Sequence, residues 1–196
     1  MSVISLHHPG FVGNSACTCG LCSPHATAVI PGRARTSTRL LRGRTLCLYD
    51  FENMNGGTNA SIEFARRVWS LFVSSFELRA GDQVNIGMAP WTACNYMTAL
   101  PLNQVRLVVG ASGRDSADKA LLNSVDVDHV VERFDSVVIA SGDGFFTGLA
   151  RTLSERGLSV WNATSSCSGG AARLQQACQH HLRLRVGPQC HHSTAA

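Results

Sequence analysis

Val137-Val138-Ile139-Ala140-Ser141-Gly142-Asp143-Gly144-Phe145-Phe146 is the stretch whose reading decides the fold. Its first residues are small or branched and apolar, the composition of a strand buried on both faces. Ser-Gly-Asp-Gly breaks that strand. Apolar residues then recur at helical spacing at Phe146, Leu149, Ala150 and Leu153, and Gly157 takes the place of a left-handed helix cap. Asp143 therefore stands at the carboxyl end of a strand and the mouth of a helix. In an open α/β sheet, ligands and chemistry collect at that edge.

Working outward, the same alternation repeats. Thr45 to Tyr49 reads as a strand ending in Asp50-Phe51-Glu52-Asn53, and Asn55-Gly56-Gly57 as a loop. Thr58 or Asn59 can cap the next helix, whose apolar stripe is Ile62, Ala65, Trp69, Phe72, Val73 and Phe76. These aromatics are expected in the core. Ala80-Gly81-Asp82 turns the chain into a strand over Gln83 to Met88, and a short helix spans Trp91 to Leu100 before Pro101. Val105 to Val109 is a strand, Gly110 to Arg114 a loop, and Asp115 to Leu122 a helix with acids in its first turn. After the central strand and its helix come a strand at Leu158 to Trp161, a helix from about Gly170 to His180 and a last strand at Leu182 to Val186. Alternating strands and helices imply an α/β fold with a largely parallel sheet and helices on both faces.

The length, 196 residues, suits one sizeable domain and a tail. The predicted organisation is an extension over 1–43, one domain over 44–186 and a flexible tail over 187–196. The extension lacks periodicity, is rich in Gly, Pro, Ser, Thr, His and Arg, and reads as mostly disordered. Hydrophobic content of 44% and charged content of 15% are globular. No run approaches the ~18–20 apolar residues of a membrane span, and Met1 to Gly20 lacks the basic start and apolar core of a secretory signal. The expected compartment is the cytoplasm.

The net charge of +4 is modest, but Arg33, Arg35, Arg39, Arg42 and Arg44 fall within twelve residues at the junction of extension and domain. A basic arm beside an acidic site suits a nucleic-acid substrate; a solvated arm is the plain alternative. Eight cysteines without a signal argue against a disulfide framework. Cys47, Cys94 and Cys178 are expected as small buried hydrophobes. Cys17, Cys19, Cys22 and His25 supply zinc-type ligands, but their spacing is tighter than that of a usual finger, and idle thiols are the competing reading.

Asp50 ends the first strand of the domain, Asp118 lies in the first turn of the helix after the third, and Asp143 ends the fourth. Right-handed crossovers bring all three to one sheet edge. Grouped carboxylates raise one another's pKa unless a cation offsets them. Mg²⁺ or Mn²⁺, held by these acids and water, resolves the repulsion and can activate water against a phosphodiester. Taken singly, each acid has a plain role: a helix cap, a dipole partner or a turn.

Tyr49-Asp50-Phe51-Glu52-Asn53, Ala117-Asp118-Lys119-Ala120-Leu121 and Ser141-Gly142-Asp143-Gly144-Phe145-Phe146 resemble, in order and spacing, the motifs of NYN domains, part of the PIN-like ribonuclease superfamily. The resemblance runs from about Thr45 to Val186. It implies a three-layer α/β/α sandwich around a mostly parallel central sheet, PIN-like or Rossmann-like, and metal-dependent RNA cleavage, with Asp50, Asp118 and Asp143 as the acidic positions and Asn53 as the amide. Phe145 departs from the family pattern, standing where a second acid is common, which makes a second metal harder to support. Glu52 or Asp115 could compensate. Ser141 is a candidate for a substrate phosphate, beside the N–H groups of a helix start, or a turn residue bonding its own backbone. Arg114 is a further candidate for substrate contact.

The leading reading is a ribonuclease preferring single strands. A binding module that keeps the fold without the chemistry is the alternative, and Phe145 favours it. A phosphatase of the haloacid-dehalogenase type fits worse, because Glu52 fills the second-acid position poorly and Lys119 lies inside a helix. A homodimer or a targeting partner is compatible with so short a chain; the sequence identifies neither.

Overall fold

Along Thr45–Asp50 the side chains alternate, Leu46 and Leu48 to one side and Cys47 and Tyr49 to the other, and all four are buried. A strand buried on both faces needs a helical layer on each. The computed structural model describes residues 27–29, 41, 43–97, 100 and 105–187 and shows that arrangement. In chain order the strands are β1 (Thr27–Val29), β2 (Thr45–Asp50), β3 (Gln83–Met88), β4 (Val105–Val109), β5 (Ser136–Ala140), β6 (Ser159–Ser165) and β7 (His180–Arg185). The helices are α1 (Phe51–Asn55), α2 (Ile62–Phe76), α3 (Pro90–Tyr96), α4 (Ser116–Asn123), α5 (Val127–Arg133), α6 (Thr147–Glu155) and α7 (Ala172–Ala177), with a 3-10 turn at Gly144–Phe146.

The sheet order is β1-β7-β6-β5-β2-β3-β4. Strands β2 to β7 pair in parallel, and β1 joins β7 antiparallel. The order reverses at β2, flanked by β5 and β3, so the carboxyl end of β2 is the topological switch point. One core packs α2 and α3 on Cys47, Tyr49, Ile86, Val138 and Ala163. The other packs α4 to α7 on Leu46, Leu48, Val137, Ile139 and Val160. The aromatics of α2 lie in the first core, as expected: Tyr49 meets Trp69 and Phe72 edge-on, and Phe76 meets Trp161.

Several local expectations need correction. The cap of α2 is Ser61, whose hydroxyl accepts from Phe64 N, rather than Thr58 or Asn59. Ile62 lies in the first turn and is exposed, so the buried stripe begins at Phe64. Helix α3 stops at Tyr96 instead of reaching Leu100. Helix α5, capped by Asp126, was not foreseen; only one of its residues, Val130, is buried, too short a signal to read by period. Helix α7 ends at Ala177, and β7 starts at His180 because it pairs there with Trp161. Cys94 is exposed, unlike Cys47 and Cys178. Within the extension, Thr27–Val29 is strand: pairing with β7 supplies backbone partners that local composition does not announce. Cys17, Cys19, Cys22, His25, Arg33, Arg35, Arg39 and Arg42 lie outside the described residues.

The start of β2 is tied to the turn before β3 by one buried carboxylate. Asp82 Oδ1 accepts from Thr45 N (2.9 Å) and Oδ2 from Arg79 N (2.7 Å). Hydrogen bonds to charged groups are worth roughly 1.5–3 kcal/mol each. Asp82→Ala is expected to destabilise the domain by about 3 kcal/mol, read as a lower denaturation midpoint at unchanged m-value.

Candidate active site

At the carboxyl edge of the sheet, a cleft of about 420 Å³ is lined by Asp50, Glu52, Asn53, Asp115, Asp118 and Asp143. Five of these six were singled out as acids from sequence, and the sixth is the amide of the same motif. Asp50 leaves β2 and caps α1, its Oδ1 accepting from Asn53 N (3.1 Å). Asn53, one α-turn on, turns its Oδ1 back across the switch point to accept from Gly142 N (2.7 Å). The loop after β5 is thereby fastened to the loop after β2. Asp118 is in the first turn of α4 and Asp143 caps the 3-10 turn, accepting from Phe145 N (2.9 Å).

Ser141 follows the second of its two readings, a turn residue bonding the local backbone, and adds a bond to Asp50. It is fully buried, donates to Asp50 Oδ2 (2.7 Å) and accepts from Asp143 N (3.0 Å). With its hydroxyl turned inward it positions two acids and presents nothing to a substrate phosphate. Arg114 is 95% exposed, ion-paired loosely with Asp115 at 3.6 Å, and does not line the cleft. Asp115 occupies the capping position of α4 with φ of 55° but makes no side-chain cap bond, so its carboxylate remains on the cleft wall. Glu52 is committed on one oxygen: Oε1 accepts from Ala89 N (2.7 Å), which ties α1 to the end of β3. Lys119 is exposed on α4 and lines no part of the cleft, which removes the cation a haloacid-type phosphatase needs.

Three contributions were not legible in advance. Asn162 on β6 is buried and donates through Nδ2 to Ser141 O (2.8 Å) and Ile139 O (3.1 Å), holding the end of β5. A polar residue between Trp161 and Ala163 in an apolar strand was the available signal. Cys167, Ser168 and Gly169 form the far wall of the cleft. The guanidinium of Arg173 on α7 lies against Gly144, where an added Cβ would meet Nε at 2.0 Å.

Electrostatically the site is strained. Burial, and then the charge of Asp118, push the Asp50 carboxyl well above its ordinary range, against the hydrogen bonds from Ser141 and Asn53. Asp118 is also raised, first by burial and then by the charges of Asp143, Asp115 and Glu52, while a hydrogen bond with Asp50 works the other way. Among the described residues, no basic side chain forms an ion pair with Asp50, Asp118 or Asp143. Nor do three His, Cys, Asp or Glu side chains among them already converge on one point. Carboxylate oxygens in excess, without a cation, are the donor set of a hard divalent ion.

A family model of the NYN domain matches residues 44–185. The chain belongs to the NYN domain family. The match spans β2 to the end of β7 and takes in all three acids, so this NYN domain is a PIN-like domain of the nuclease type. Comparison with curated proteins gives no significant match.

Proposed function

We propose that this NYN domain hydrolyses phosphodiester bonds of single-stranded RNA. One observation carries the reading: Asp50, Asp118 and Asp143, from the ends of three separate elements, open on one cleft at the switch point with no basic partner among the described residues. Those three carboxylates would hold Mg²⁺ or Mn²⁺, which when bound offsets their charge, activates water and stabilises charge on the phosphodiester. The chain's own residues supply position. Ser141 and Asn53 N fix the two oxygens of Asp50, and Asn53, held through Oδ1, keeps its amide nitrogen for substrate or water. Asp115 and Glu52 add negative charge that helps retain the ion. The arginines of the extension would track the RNA backbone and make binding weaken with salt. No helix among the described residues is long and apolar enough to cross a membrane.

The test is incubation with labelled single-stranded RNA in Mn²⁺, in Mg²⁺ and in EDTA, beside Asp143→Asn. Cleavage is expected with either ion, absent in EDTA, and reduced on the order of 10²-fold or more in the variant. RNA bound equally well in EDTA and never cut would replace this reading with the binding module that Phe145 favours.

A further inference from the structure

Two large aromatic side chains, Trp91 and Phe145, stand in solvent, each two residues along the chain from one that lines the acidic cleft, Ala89 and Asp143. Trp91 is 66% exposed, whereas Trp69 and Trp161 are 6% and 8% exposed. Burying an indole is strongly favourable, and its exposure here is not forced by a loop tip: Trp91 sits in the first turn of α3, directly after Pro90. Two residues before it, Ala89 lines the cleft and is held by Glu52 Oε1. The indole therefore rises from a backbone fastened to the acidic motif. No aromatic ring among the described residues packs on it.

Phe145 is the second, 37% exposed, in the 3-10 turn that follows β5. Its N–H is held by Asp143 Oδ1, and its ring stands edge-on to the buried Phe146 at 6.2 Å. Trp91 follows β3 and Phe145 follows β5, the two neighbours of β2. Strands repeat every ~4.8 Å, so the segments bearing these rings leave the sheet roughly 10 Å apart with the end of β2 between them. The Arg173 guanidinium against Gly144 adds a cation beside Phe145.

We infer that Trp91 and Phe145 are stacking platforms for unpaired nucleobases on either side of the phosphodiester held at Asp50, Asp118 and Asp143. Every base has a π-face, so such platforms select single strands without selecting sequence, and a base locked in a duplex cannot reach them. Phe145 thereby takes a role in substrate contact at the position where a second acid is common. The inference rests on the nuclease reading for the identity of the substrate, yet it concerns binding and is read without cleavage.

The test uses the full chain in EDTA and three probes: a single-stranded oligouridine, the same oligomer made of abasic riboses, and an RNA duplex of equal length. Oligouridine is expected to quench the emission of the exposed tryptophan, and the abasic oligomer and the duplex to bind about ten-fold more weakly or worse. Trp91→Ala and Phe145→Ala are each expected to lose about ten-fold in oligouridine affinity, with no further loss for the abasic oligomer, and Trp91→Phe to recover most of it. Equal binding of intact and abasic oligomers by the wild-type chain, or unchanged affinity in both alanine variants, overturns the stacking role even if cleavage persists. Stacking without cleavage under any ion would leave these platforms standing and remove the nuclease. Failure of the wild-type chain to bind any of the three probes would remove the platforms, and the nuclease would then stand or fall on cleavage in Mn²⁺ or Mg²⁺.

Discussion

Asp50→Asn is expected to lower RNA cleavage by on the order of 10²- to 10³-fold while raising the melting temperature of the metal-free chain at neutral pH. The two effects share one cause. Asp50 is 4% exposed, and burial together with the Asp118 charge holds its carboxyl well above the ordinary range. The native state then keeps a proton that the unfolded chain releases near pH ~4. A state that binds more protons is favoured at low pH, so this contribution is largest below the unfolded pKa and disappears as pH rises through the raised folded value. Asp118 is displaced in the same direction and adds to the trend. Asparagine keeps the oxygen that accepts from Asn53 N, caps a helix as well as aspartate does, and carries no charge to desolvate. Melting curves in EDTA from pH 4 to 8 should show the wild-type chain losing ground to the variant as pH rises. Mg²⁺ or Mn²⁺ should restore the wild type and leave the variant less changed. A variant that melts lower than wild type at pH 8 would mean that the Ser141 and Asn53 bonds outweigh the buried charge, and that the cleft is a stable acidic pocket needing no cation.

Gly142→Ala should be far more damaging than its neighbour Gly144→Ala. A Cβ on Gly142 would stand 1.5 Å from Gly169 O and 2.6 Å from Gly169 C. Both obstacles are backbone, and the crossing is cinched by Ala171 N donating to Gly142 O (2.9 Å) and Gly142 N donating to Asn53 Oδ1 (2.7 Å). Relief requires the Ser168–Gly170 loop to withdraw, which removes the far wall of the cleft and loosens Asn53. Overpacking of this kind costs about 3 kcal/mol, or roughly 6–12 °C in melting temperature for a domain this size. On Gly144 the obstacle is the end of the Arg173 side chain, which can swing into solvent. Differential scanning calorimetry of the two variants decides the matter. Equal melting temperatures would show that the loop after β6 yields freely and does not brace the site.

Nearly all of the domain's strand and helix order was written locally. Val137 to Ala140, Cys47 to Tyr49 and the stripe through Trp69, Phe72 and Phe76 carry periods of two and of three to four residues, and a period survives without knowledge of what packs on it. The position of Asp50, Asp118 and Asp143 on one edge followed from that order, because right-handed crossovers leave no other place for them. The motifs around those acids also carried the family, which the match over residues 44–185 establishes.

What the residue order did not carry is which way each polar side chain turns. Ser141 was open to a phosphate or to its own backbone; the fold keeps it on the backbone at Asp143 N and adds a bond to Asp50, which is 91 residues away in the chain. Glu52 was a spare acid until Ala89 N claimed one of its oxygens. Asp115 had the sequence of a cap and lacks the bond of one. Helix α5, the antiparallel β1 and the exposure of Cys94 and Trp91 belong to the same class. Each depends on a neighbour brought in from a distant segment, or on the failure of one to arrive. The sequence by itself therefore determined the layers, the edge and the three acids, since backbone periodicity and chain handedness are short-range properties. Only the tertiary structure decided which of the candidate residues face the cleft and which merely hold it open, because a rotamer answers to contacts made across the fold.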